Sequence, residues 1–371
     1  MSDNSGCTAS RPMNIGMLTH IKHPIREPFA GGLEAFTYDM TQMLRKRGHT
    51  VTLFAHPESS PELDVRPMSL NRHYRQESRR HDHDTLSTEF IAEHHAYMDC
   101  LQRIDDCGFD VVFNNSLHYV PITFSGSMRT PMLTVLHTPP FFELINAVAA
   151  QHERGGGHYC TVSATNAASW ADLIPTCHVI PNGIDLQFWR PANAANEQHA
   201  IWYGRLVADK GPHLAIDAAR AAGMALRIAG QATDASYFSE FIQPRLGGDI
   251  EYLGHLPRAR LVDELGRAAV CLVTPRWDEP FGLVVAEALA CGTPVAAFSR
   301  GAIPELLTAD TGIMVPADDV SALAEAILAA RALDRRACRL HAEAKWSMDR
   351  MIAGYESLLS GLCPELEVEH E

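Results

Sequence analysis

The chain has 371 residues, 46% of them apolar, which is enough for two separate cores. Its net charge of −14 excludes nucleic acid as the main partner and leaves at most peripheral membrane contact, since binding phosphate backbones or anionic lipid wants a basic field. The nine cysteines are scattered with no CxxC pair, and no run of about 18 apolar residues occurs, so reduced thiols and a cytoplasmic location are expected.

Residues 1–12 lack an apolar signal core and read as a disordered tail. The first buried-type strand is Asn14 to Thr19. A loop ending in Gly31 and Gly32 leads into a helix whose apolar positions 33, 36, 40, 43 and 44 have helical spacing, stopped by Gly48. Thr50 to Ala55 is the second strand. This is the opening of a Rossmann-like βαβ unit without the GxGxxG dinucleotide fingerprint, which disfavours an oxidoreductase. Paired glycines allow a ligand close to the backbone, and they serve equally in an ordinary tight turn.

Residues 57–84 are polar, with a short strand expected near 63–68. Asp82-His83-Asp84 fits a metal-holding DxD pattern, but it stands in a low-hydrophobicity run rather than at a strand end. His81, His83, His94 and His95 match no standard zinc spacing. A solvated face is the reading for both, and for the basic run Arg72, Arg75, Arg79 and Arg80. No metal and no cofactor are expected.

A helix over Leu86 to Asp106 precedes a strand at Phe109 to Asn114. Another strand, Pro131 to Leu136, ends at His137-Thr138. Polar residues just past strand carboxyl ends lie where open α/β sheets bind ligands, which makes His118, His137 and Thr138 candidates. A helix over Pro139 to Arg154, a strand over Gly157 to Val162 with Ser163 capping the next helix, and a short strand over Cys177 to Ile180 complete the first half. The segment 190–198 is rich in Ala, Asn and Pro, and marks a domain boundary.

The second half begins again with a strand, His199 to Tyr203. Arg205 and Lys210 follow, flanked by Gly204 and Gly211, before an Ala-rich helix. Two cations between a strand and a helix start can neutralise a diphosphate, or can be surface charge. Strands at Ala225 to Gly230 and Ile250 to Leu253 and a helix at Pro257 to Arg267 follow. Ala268 to Thr274 and Thr293 to Phe298 then read as strands enclosing a turn with Glu279 and a helix with Glu287, about two turns along. A helix amino end offers unpaired N–H groups to phosphate, and the two carboxylates can reach sugar and ribose hydroxyls. Taken alone, two glutamates eight residues apart also recur by chance. A strand at Thr311 to Val315 and helices at Asp318 to Ala332, Asp334 to Ala344 and Met348 to Leu362 close the chain. Strands alternate with helices in both halves, so the expected fold is α/β, with two Rossmann-like domains of parallel strands facing across a cleft.

Five ordered motifs resemble the retaining GT-B glycosyltransferases of family 4: AGGLEAF at 30–36, VLHT at 135–138, VIPNGID at 179–185, YGRLVADKGPHLAI at 203–216 and EPFGLVVAEALACGTPV at 279–295. The resemblance implies an acceptor domain over 13–189, a nucleotide-sugar donor domain over 190–345, and a final segment, 346–371, packing back on the first. It implies that Arg205 and Lys210 bind the donor diphosphate and that Glu279 contacts the transferred sugar. The backbone of Phe281, Gly282 and Leu283 would lie near the distal phosphate, and Glu287 at the ribose. Gly31 and Gly32 would close on the donor and acceptor, and His137 would stand near the reacting face of the sugar. The implied activity is metal-independent, retaining transfer of a hexose-type sugar from a nucleotide-diphosphate donor, uridine first, to a hydroxyl acceptor. His118 and Thr138 remain acceptor-side candidates. Ala30 precedes Gly31-Gly32 where glycogen-synthase-like members carry a Lys-Thr pair, which speaks against a starch or glycogen synthase. The alternatives are a non-catalytic nucleotide-sugar-binding protein and a GT-B-fold sugar-nucleotide epimerase. The acceptor, the base and the oligomeric state are not legible.

Overall fold

The computed structural model describes residues 11–68, 87–192 and 198–363. Asp82-His83-Asp84, His81 and the arginines at 72, 75, 79 and 80 lie outside these residues.

The first sheet contains β1 (Asn14–Thr19), β2 (Thr50–Ala55), β3 (Val65–Pro67), β4 (Val111–Asn115), β5 (Met132–Leu136), β6 (His158–Thr161) and β7 (His178–Val179). The second contains β8 (His199–Tyr203), β9 (Ala225–Ala229), β10 (Ile250–Tyr252), β11 (Val270–Val273), β12 (Val295–Phe298) and β13 (Gly312–Val315). Their orders are β3-β2-β1-β4-β5-β6-β7 and β10-β9-β8-β11-β12-β13, and every pair is parallel. Covered on both faces, the central strands are apolar runs rather than alternating ones: all residues of β4, β5, β8, β11 and β12 are buried. The chain reverses direction across the sheet between β1 and β4, and again between β8 and β11. Ligands of open α/β sheets bind in the crevice at such reversals, beyond the strands' carboxyl ends. The loops after β1, β4, β8 and β11 carry most of the candidate residues.

The helix Met348–Leu362 returns to the first sheet. Ile184 N donates to Trp346 O at 2.8 Å, Arg47 pairs with Glu356 at 2.7 Å, and His49 Nε2 meets the other oxygen of Glu356 at 3.0 Å. One apolar cluster runs without a break from Met17 and Phe36 through Tyr355 and Ile352 to Val285 and Ala286. The two sheets therefore share one core through this helix.

Several elements differ from the sequence expectation. The helix expected over 86–106 is Thr88–Leu101, capped by the Ser87 hydroxyl accepting from Phe90 N. The chain then breaks into a short turn of helix, Ile104–Cys107, closed by Gly108 at φ 69°. Tyr119–Ser125 forms a helix that Pro121 concealed; in the first turn a proline gives up no intrahelical hydrogen bond. The helix bearing Glu287 is Leu283–Ala290, because Gly282 takes the left-handed region at φ 101° as its cap. Glu287 is thus one turn into the helix, not two.

Candidate active site

On the second domain, Lys210 ends a helical turn after β8, where Gly211 at φ 63° reverses the chain. Thr274, just past β11, locks this turn: its hydroxyl donates to Gly211 O at 2.9 Å and accepts from Trp202 Nε1 at 3.0 Å. Lys210 Nζ lies 2.6 Å from Glu279 Oε2 and 4.8 Å from the centre of the Trp277 ring. Trp277 Nε1 donates to the same oxygen at 2.8 Å. The Glu279 main chain is fixed in turn, since Ala302 N donates to Glu279 O at 2.8 Å. The 277–282 turn therefore presents a carboxylate whose position is set from three directions.

Glu287 is buried, and Tyr203 Oη donates to its Oε2 at 2.6 Å. Burial raises its carboxyl pKa to about 7, against the opposing effects of the Tyr203 hydrogen bond and the Arg258 charge. An acid whose pKa is raised on folding holds its proton in the native state over a window where the unfolded chain has lost it. Stability is therefore present below about pH 4.5 and declines toward pH 7. Glu287→Gln is expected to flatten that part of the stability–pH profile, measured by urea unfolding from pH 5 to pH 8. An unchanged slope would contradict this account of Glu287.

Across the cleft, Gly31 caps the helix Gly32–Lys46. A Cβ on Gly32 would stand 2.9 Å from Leu283 Cδ1, so the glycine loop touches the first residue of the Glu287 helix. Both cap residues are glycines, so neither offers a side chain to its helix start. The two sets of amino-terminal N–H groups border one cavity of about 150 Å³, with Arg205, Tyr203, Arg258 and Glu287 in its wall. Arg205 is exposed, with its Nε 4.0 Å from the place a Gly31 Cβ would take.

His137 follows β5. Its Nε2 donates to Asn115 Oδ1 at 2.7 Å, and its ring meets Phe36 edge-on at 4.8 Å. Burial lowers its pKa to about 3, so the imidazole is neutral, with Nδ1 free to accept. His118 has a different job. Its Nδ1 accepts from Val120 N as a helix cap at 3.2 Å, and its ring stacks on Tyr97 at 4.4 Å and Tyr119 at 4.8 Å. The Thr138 hydroxyl is buried without a hydrogen-bond partner, and its carbonyl accepts from Trp170 Nε1 at 3.0 Å. His94 bonds to Tyr119 Oη at 2.7 Å. Among the described residues no three His, Cys, Asp or Glu side chains are grouped to hold a metal ion.

Sequence reasoning passed over the residues that join the domains. Arg258 forms two 2.9 Å bonds to Asp39 and lies 5.0 Å from the Phe188 ring. His255 Nε2 donates to Phe29 O at 3.0 Å, and Glu305 accepts from Ala164 N at 3.0 Å. Arg258 and Asp39 are 219 positions apart, and no local pattern announces such a pair. Arg258→Ala strands a mostly buried carboxylate, and is expected to cost about 3 kcal/mol. Thermal unfolding checks this; a change in melting temperature within error would contradict it.

Two family models tile most of the chain. The one described as Glycosyltransferase Family 4 matches residues 30–188, and the one described as Glycosyl transferases group 1 matches residues 184–345. The chain belongs to the GT-B glycosyltransferases of family 4 type. A D-inositol 3-phosphate glycosyltransferase from Xylanimonas cellulosilytica is 26% identical to this family 4 glycosyltransferase over 392 residues, 91% of this chain and 92% of that one. A glycogen synthase from Mycobacterium tuberculosis is 35% identical over 161 residues, and the match covers 40% of this chain and 38% of the synthase. Among solved structures, sucrose-phosphate synthase from Thermosynechococcus elongatus superposes with a TM-score of 0.76 at 19% identity, covering 94% of this chain and 99% of that one. Anabaena Alr3699/HepE in complex with UDP-glucose gives 0.74 at 18%, covering 94% and 100%. At such identities the likeness to the solved structures is one of fold. No helix among the described residues is long and apolar enough to cross a membrane.

Proposed function

We propose that this glycosyltransferase moves a hexose-type sugar from a uridine-diphosphate donor to a hydroxyl acceptor, with retention, without a metal ion, and in the cytoplasm. The observation that carries the reading is that Arg205, Glu287 and two glycine-capped helix starts line one cavity, with the Lys210–Glu279 pair beside the Gly282 cap of one of those helices.

Breaking a glycosyl–phosphate bond places negative charge on the departing diphosphate. Arg205, Lys210 and the N–H groups around Gly282 and Leu283 would stabilise that charge before it develops, the role a metal ion fills elsewhere. Glu279, held by Lys210 and Trp277, would accept hydrogen bonds from hydroxyls of the transferred sugar and so orient it. Glu287 would take the ribose hydroxyls. Neutral His137 would accept from a sugar hydroxyl through Nδ1. In this scheme the leaving phosphate takes the acceptor's proton, so Glu279 positions and does not attack.

Uridine is favoured because structural neighbours were solved with UDP and UDP-glucose. A guanosine donor is the second reading, since a Corynebacterium glutamicum relative, 33% identical over 115 residues, is named a GDP-mannose-dependent mannosyltransferase. A thermal-shift panel of UDP-, GDP- and ADP-sugars separates them, because a ligand bound only by the native state raises the melting temperature. A rise with UDP-sugars alone supports the proposal. A rise with GDP-sugars alone moves the donor to guanosine, and no rise with any of them overturns the reading.

A further inference from the structure

Glu305 is an exposed residue of the second domain whose carboxylate is bonded to the first. Its Oε2 accepts from Ala164 N at 3.0 Å, and its Oε1 accepts from Thr165 N. These are the first two N–H groups of the helix Ala164–Trp170; the third, on Asn166, donates to the Ser163 hydroxyl. The N–H groups of a helix's first turn have no partner within the helix, so they must find one outside it. Ser163 supplies one partner from its own domain, and Glu305 supplies the other two from the opposite domain.

Glu305 belongs to a short helix, Ile303–Leu306, whose main chain leads directly to Glu279. Glu305 N donates to Ala302 O at 2.9 Å, and Ala302 N donates to Glu279 O at 2.8 Å. At Gly301 the two segments approach so closely that a Cβ would meet the Glu279 backbone. The far end of the short helix is held too. His341 Nε2 donates to Leu306 O at 3.1 Å, and its ring meets Trp346 edge-on at 5.2 Å. Trp346 stands where the chain returns to the first domain, and its carbonyl accepts from Ile184 N. Hydrogen bonds therefore run without a break from the Ala164 helix, through Glu305 and Ala302, to the main chain of Glu279. The other bonds between the domains, Asp39 to Arg258 and Phe29 to His255, enter the second domain at residues 255–258 instead.

We propose that Glu305 is a positioning residue for the transferred sugar: by gripping the first domain it sets the main chain that carries Glu279, so that this carboxylate is aligned when the two domains are together. The inference rests on the reading that Glu279 contacts the sugar of a nucleotide-sugar donor. It makes a prediction that simple adhesion between the domains does not. Both domains line the cavity, so loss of adhesion would weaken the nucleotide and its sugar alike. A displaced Glu279 weakens the sugar and spares the nucleotide.

Titration calorimetry on the full chain, with UDP against UDP-glucose and GDP against GDP-mannose, tests this. Glu279→Ala serves as the reference for a loss confined to the sugar. Glu305→Ala is expected to weaken the sugar nucleotide that wild type binds by about tenfold, leaving the matching diphosphate within about twofold. Ala164→Pro attacks the same contact from the other domain, because it removes the N–H that Oε2 accepts. Proline suits the first position of a helix, and Ser163 before it is already extended, at φ −155° and ψ 161°. Ala164→Pro is expected to weaken the sugar nucleotide by at least about fivefold alone, and by less than about twofold when added to Glu305→Ala. Wild-type affinity for the sugar nucleotide in Glu305→Ala, equal weakening of sugar nucleotide and diphosphate, or full additivity in the double variant would each overturn the proposal. If wild type binds none of the four ligands, or Glu279→Ala shows no loss confined to the sugar, the donor reading fails first, and this inference with it.

Discussion

Lys210→Ala is expected to lower kcat/KM for sugar transfer by on the order of a thousandfold while the protein stays folded. The Lys210 ammonium is pinned by Glu279 and stacked over Trp277, so in the proposed reaction it would meet the leaving diphosphate already in place. A cation fixed in advance needs no reorganisation during the reaction, which is why its loss should weigh more on turnover than on stability. The turn that carries it is held by Thr274 and Gly211, not by its own side chain. Glu279→Ala should lose a comparable amount by a different route, since it releases both Lys210 and Trp277. Steady-state transfer assays, with melting temperature as the control, decide the point. Turnover within about fivefold of wild type in both variants would remove Lys210 and Glu279 from the chemistry.

Gly301→Ala should be strongly damaging to the turn that carries Glu279. Gly301 has φ 58°, and a Cβ there would collide with the backbone nitrogen and oxygen of Glu279. Backbone has little freedom to yield, so the 277–282 turn must shift and carry Glu279 with it. Gly248 has nearly the same φ, 63°, but open space around the position of a Cβ. Gly248→Ala therefore isolates the cost of left-handed backbone, about 1 kcal/mol. Gly301→Ala is expected to cost about 3 kcal/mol or more, and to reduce transfer by at least about a hundredfold. Equal destabilisation and equal activity in the two variants would show that the collision is relieved without moving Glu279.

Much of the fold was legible because the sheets are parallel and buried. β1, β2 and β8 occupy the residues expected from their apolar runs, whereas the strand order, with its reversals at β1/β4 and β8/β11, is seen only in the structure. Boundaries failed where a single backbone conformation overruled periodicity. Gly282 delays the start of the Glu287 helix, and Pro121 hides a helix that accepts it in the first turn. Side chains chosen for their place beyond a strand end meet different surroundings. His137 bonds to Asn115 and packs against Phe36, whereas His118 caps a helix and stacks between tyrosines. The same position in a βα unit can serve a ligand or the next helix, and only the direction of the ring tells which. Pairs such as Arg258 with Asp39 and Tyr203 with Glu287 depend on how the two halves meet, which no local window of sequence encodes.

The central claim is that one cleft, built from both domains, binds a nucleoside diphosphate through Arg205 and Lys210. Titrating UDP and GDP into wild type and into the Arg205→Ala/Lys210→Ala double variant tests it most directly. The account predicts saturable binding of at least one of them by wild type, and a loss of at least about a hundredfold in the double variant with its melting temperature preserved. Equal affinity in the two proteins would place the nucleotide elsewhere and contradict the account.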